Sequence, residues 1–132
     1  MTRFLLLVNH DGGAVDRPML EWDPEDIRAH LQYLRDQLDE LADSGELVEA
    51  QALAAPELAK VVRANGVTAL VMTKGPYPVA KEVLAGYQVI DVESEARAVE
   101  IAAVLSSAPG PGGHPCGQPI EVRQVMGKAG EL

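Results

Sequence analysis

Few side chains in this chain are suited to chemistry, and they fall in a handful of places. His30 lies among leucines that recur every three or four residues. On a helical wheel it sits roughly 60° from the centre of that apolar stripe, where a side chain points into a cleft rather than fully into core or water. Imidazole changes charge near neutral pH, so a histidine there can shuttle a proton; the plainer alternative is a boundary histidine hydrogen-bonded to a neighbour. The run Lys74-Gly75-Pro76-Tyr77, followed by Lys81 and Glu82, places two ammonium groups around a rigid turn. In an acidic chain this makes a local positive spot suited to a small carboxylate or phosphate, unless the turn serves only to redirect the chain. Tyr87 and Asp91 are four apart on one strand and share a face. There Tyr87 either lines a cleft or fills core, and Asp91 either contributes to the site or closes the strand. Asn9-His10-Asp11 can gather polar groups at a pocket mouth. His114-Pro115-Cys116 adds two more metal-ligand types, but three histidines and one cysteine at no recognised zinc spacing give no metal site. Phosphate-cradling glycine loops, nucleophile elbows and Cys-x-x-Cys pairs are absent, and no cofactor is expected.

The surrounding composition narrows the classes. The chain has 132 residues, of which 47% are hydrophobic and 23% charged, enough for one real core. Twenty acidic against 11 basic residues give a net charge of −9. This opposes binding to nucleic-acid backbones and anionic membranes, and aromatics at 4% offer no base-stacking surface. No apolar run approaches the roughly 18 residues that cross a bilayer. The start of the chain lacks a secretory pattern, and the lone Cys116 excludes an internal disulfide. A soluble cytoplasmic domain is the expectation.

Several elements must position these residues. Arg3 to Val8 is a strand with bulky groups on both faces, and residues 9–21 form a loop. A helix is expected from Pro24 to Ser44. Asp23 caps it and Pro24 takes its first position, Trp22 and Ile27 form a hydrophobic staple, and Gly45 stops it. Its stripe is Ile27, Leu31, Leu34, Leu38 and Leu41. Leu47 to Leu53 is a strand, and Ala59–Arg63 and Val67–Thr73 read as a hairpin turning at Asn65-Gly66. Ala85 to Val92 is another strand. Ser94 caps a second helix that buries Ala98, Ile101, Ala102 and Leu105. Ala108 to Pro119, rich in proline and glycine, is a loop free to move. Ile120 to Val125 closes the sheet, so the domain spans 1–126 and 127–132 is a tail. This order predicts a ferredoxin-like α+β sandwich with an extra β-hairpin. With helices on one face of the sheet, a second copy is the symmetrical cover for the other, so a homodimer is expected.

Val71 to Val92 (VMTKGPYPVAKEVLAGYQVIDV) resembles the signature of the YCII-related family, in its DGPF branch, through Gly75, Pro76, Lys81, Glu82, Gly86, Tyr87, Ile90, Asp91 and Val92. Tyr77 replaces the family's phenylalanine. Lys74 stands where that branch has aspartate, exchanging an acceptor for a three-donor cation. The resemblance implies a dimeric α+β barrel. It also implies that His30 occupies the place of a histidine that, in the broader group, works with an aspartate in a lyase- or hydrolase-like reaction on a small ring compound. The expected function is therefore a small-molecule site between the first helix and the sheet. His30 would be its proton shuttle, and Asn9, Lys74, Gly75, Pro76, Tyr77, Lys81, Glu82 and Tyr87 would hold an anionic or aromatic ligand. The alternative is a non-catalytic regulatory module linked to alternative sigma-factor control.

Overall fold

Two adjacent strands, β1 (Thr2–Asn9) and β5 (Leu84–Val92), form the centre of the computed structural model, which describes residues 1–9, 18–64, 66, 71–74 and 84–131. They pair antiparallel from Thr2 opposite Val92 to Asn9 opposite Leu84. β2 (Leu47–Ala52) flanks β5 and β6 (Ile120–Gln124) flanks β1, giving a four-stranded sheet in the order β2-β5-β1-β6. With α1 (Pro24–Asp43) between β1 and β2, and α2 (Glu95–Ser106) between β5 and β6, this is the ferredoxin-like α+β arrangement. The extra hairpin, β3 (Lys60–Arg63) with β4 (Val71–Lys74), makes a separate two-stranded sheet.

Both helices lie on one face. Phe4, Leu6, Ile90 and Val92 bury there against Leu41 of α1 and Ala98, Ile101, Ala102 and Leu105 of α2. Leu34, Leu38, Leu47, Ile120 and Val122 pack around them. The four α2 residues are those expected from helical spacing, and the Ser94 Oγ accepts the Arg97 amide at 3.1 Å, capping the helix as expected. α1 begins after Asp23, but there the cap is made by the Asp23 backbone carbonyl, which accepts from Asp26 and Ile27; its carboxylate bonds to no helix amide. Gly45, at φ +81°, takes the left-handed position that ends α1. Gly86 has a different necessity, since a Cβ there would lie 2.8 Å from the Gln51 carbonyl oxygen on β2.

Two expectations need correcting. The β3–β4 register, Lys60 opposite Lys74 and Arg63 opposite Val71, is centred on residue 67. Asn65-Gly66 therefore does not set the pairing as a two-residue turn would. The loop from Ala108 is also tied down rather than free. Gly110 donates to the His114 carbonyl at 2.6 Å, Cys116 to Ala108 at 2.8 Å and Gly117 to Ser106 at 2.9 Å, while Ala108 and Cys116 are buried.

Arg97 of α2 grips Glu46, just beyond α1, through Nε and Nη2, each at 2.9 Å. This hydrogen-bonded guanidinium holds the Glu46 carboxyl down to about 2, against an ordinary 4.5, and raises Arg97 in turn. A carboxyl depressed on folding stabilises fully above the unfolded value of 4.5 and loses that contribution as pH falls towards 2. Glu46→Gln should therefore lower stability at pH 7 by about 1 kcal/mol. Urea unfolding at a series of pH values should show the wild-type advantage disappearing between pH 4.5 and 2.

Candidate functional site

The burial of α1 follows the expected stripe through Leu34, Leu38 and Leu41, with one departure: Leu31 is 37% exposed, while His30 is only 8% exposed. The helix is turned toward α2, to whose Val104 carbonyl the Tyr33 hydroxyl donates at 2.8 Å. His30 is thus buried against Trp22 and the loop that carries Pro109 and Cys116.

Three groups hold its ring. The Trp22 indole meets it edge-on, centroids 5.4 Å apart at 83°, a favourable aromatic arrangement. The Pro109 carbonyl lies 2.9 Å from Nδ1, and the Cys116 Sγ 3.7 Å from the same nitrogen. A carbonyl only accepts, so Nδ1 carries the hydrogen and in the neutral ring Nε2 is the bare acceptor. Burial pushes the Cys116 thiol up, which keeps it protonated and a poor nucleophile. The Gly112 amide donates to Asp26 Oδ2 at 3.4 Å, a second tie between this loop and α1.

On the helix-facing side of the sheet, part of β2 and β5 carries small residues. Register places Ala50 and Ala52 of β2 beside Gln88 and Gly86 of β5, on the same face as Leu6 and Val8. At the other end of that layer Phe4, Ile90, Val92 and Leu41 fill the core. Gln88 reaches into the layer from its centre, and its Oε1 is buried with no hydrogen-bond partner among the described residues.

Tyr87 is not on this face. Side chains alternate along β5, so it falls on the opposite face of the sheet from Gln88, in register with Leu7 and Gln51. Its hydroxyl donates to Glu49 Oε1 at 3.0 Å, and that bond raises its pKa. Asp91 shares this outer face, where Arg3 stands opposite it. Asn9 ends β1, with its amide donating to the Pro119 carbonyl at 3.2 Å. Lys74 ends β4 in the separate hairpin sheet. His10, Asp11, Gly75, Pro76, Tyr77, Lys81 and Glu82 lie outside the described residues. His114 is exposed, and among the described residues no three His, Cys, Asp or Glu gather as metal ligands. Sequence reasoning missed Gln88 and the joining of His30 to Pro109 and Cys116. The signal for Gln88 was available: an amide on the helix-facing parity of β5, between Gly86 and Ile90.

A family model described as YCII-related domain matches residues 2–109, most of the chain. The protein belongs to the YCII-related family. No curated protein matches it. The family match ends at Pro109, so this YCII-related chain orients its buried histidine with the last matched residue, while Cys116 and β6 lie beyond the match.

His30→Ala removes both the ring contact with Trp22 and the donor to Pro109, and should cost about 2–3 kcal/mol in urea unfolding. His30→Asn, whose amide can still donate near the Nδ1 position, should cost about half as much, separating the tether from the ring.

Proposed function

We propose that this YCII-related protein binds a small anionic or aromatic molecule between the N-terminal half of α1 and the sheet, and that His30 exchanges a proton with it. The observation that carries this reading is the fixed tautomer. With Nδ1–H held by the Pro109 carbonyl, Nε2 is left to accept a proton and return it, which is what acid–base steps of lyases and hydrolases require. The small side chains of Ala50 and Ala52, on the helix-facing side of β2, support it by adding little bulk there. Lys74 and Tyr77 would orient the anionic or aromatic end. A cytoplasmic setting agrees with a single cysteine held as a buried thiol.

The working unit in this reading is a homodimer. The outer face of the sheet carries half-buried Leu5, Leu7, Tyr87 and Val89 at its centre. The row through Leu5 has Glu49 at the β2 edge and Arg123 at the β6 edge. Opposite charges at the two edges of an apolar strip are self-complementary under a two-fold axis, so a second copy can cover the strip and pair its rims.

Thermal melting with benzoate, 4-hydroxybenzoate or inorganic phosphate tests the site. At least one should raise the melting temperature of wild type, and His30→Asn should abolish the rise while remaining folded. The reading falls if none does, or if His30→Asn responds like wild type. For the dimer, sedimentation should give twice the 14.1 kDa chain mass, and Leu7→Asp should give a monomer. A wild-type monomer at micromolar concentration would refute it.

A further inference from the structure

We infer that the hollow between α1 and α2 docks a basic segment of another protein, seating one arginine with its stem on Val104 and its guanidinium on Glu40. It is distinct from the ligand site proposed above and uses neither His30 nor Lys74. The two helices enclose a cavity of about 340 Å³. Its floor is the core residues Leu41, Ile101 and Leu105, and Val104, 41% exposed, gives it an apolar wall. Arg97, the cation at its rim, is already committed: Nε and Nη2 donate to Glu46, and Nη1 donates to Glu100 at 3.2 Å. Glu46 accepts from the Ser44 hydroxyl as well. Glu40 is different. Its carboxylate has no hydrogen bond or ion pair among the described residues, and neither has the Gln37 side chain one turn earlier.

Spaced i and i+3, Gln37 and Glu40 are neighbours on the helix surface. Two adjacent acceptors suit the forked donors of a guanidinium better than the point charge of an ammonium. Arginine also brings an apolar stem, which can lie along Val104 while its charged head stays at the rim. The charge beyond the hollow extends the match from one side chain to a segment. The last two turns of α1 carry Asp36, Asp39, Glu40 and Asp43 and no Lys or Arg. Carboxylates three and four residues apart repel one another. These also stand at the negative pole of the helix dipole, where cations are favoured. Their row covers about 10 Å of helix, so it offers contacts to further basic residues of one chain that a free small cation cannot use. The net charge of −9 adds a long-range attraction for such a segment.

The probe is an amphipathic helical peptide of arginine, leucine and alanine, with a copy carrying citrulline for arginine as the neutral control. Titrated into the full chain, it should move the methyl signals of Leu41, Ile101, Val104 and Leu105, and the citrulline copy should leave them in place. Glu40→Gln should weaken binding roughly threefold to fivefold, the worth of an exposed ion pair. Glu57→Gln removes the same charge from the exposed turn Pro56–Leu58 and should bind like wild type. Val104→Lys, which puts a cation in the hollow, should abolish binding; if it misfolds, the comparison of Glu40→Gln with Glu57→Gln still decides. The inference is overturned if wild type does not bind the peptide, if the citrulline copy binds as well, or if the shifts centre on other residues. Equal weakening by Glu40→Gln and Glu57→Gln overturns it too, since the attraction would then be unspecific. Argininamide binding as tightly as the peptide would make the occupant a free small cation. A lower sedimentation mass for Glu40→Gln than for wild type would make it a second copy. Either result refutes the docking of another protein.

Discussion

Strand alternation is the constraint on which the rest depends. β1 and β5 carry apolar side chains on both faces, while both helices of the described residues cover only one. Everything on the even-numbered parity of β1, Phe4 and Leu6 above all, is committed to the helical layer. Everything on the odd parity, Leu5 and Leu7 included, is left half-covered. A one-residue slip would exchange the two sets and destroy the core. Gly86 helps fix that register, because only glycine tolerates the approach of the Gln51 carbonyl. The same alternation divides the candidate chemistry. Gln88 joins His30 on the helical side and Tyr87 is sent to the other, so two neighbours in sequence belong to different surfaces.

Local signals were legible where one short segment decides the outcome. Pro24 at a helix start, Gly45 at its end, and the spacing of Ala98, Ile101, Ala102 and Leu105 need no distant partner to be understood. The hairpin shows where this stops. Asn65-Gly66 has strong turn chemistry, yet the observed register is centred on residue 67, because pairing is settled by the whole ladder and not by the favoured dipeptide. Asp23 likewise occupies the cap position while its backbone, not its side chain, serves the helix.

The site was less legible because its parts are far apart in the chain. His30 and Pro109 are separated by 79 residues, and His30 and Cys116 by 86. Nothing in the helical wheel of α1 announces that a proline-rich loop will fold back onto it. The wheel centred the stripe on leucines, and Leu34, Leu38 and Leu41 do pack on the core, but contacts with Trp22 and that loop bury His30 beside them while Leu31 stays exposed. A period of 3.6 fixes which residues share a face, but the neighbours decide which face is inward.

The burial of His30 has a physical consequence. A buried imidazole whose Nδ1 is committed to a carbonyl has lost its freedom to choose a tautomer. It gives up the choice of tautomer, and in the neutral ring Nε2 is left as the bare acceptor. On the helix-facing side of β5, Gly86 cannot be enlarged, because the Gln51 carbonyl occupies the place of its Cβ. Two residues on, Gln88 carries an amide oxygen that is buried and unpaired among the described residues. A buried amide oxygen without a partner costs folding free energy that an apolar side chain of equal length would not, so Gln88 departs from best packing where Gly86 does not.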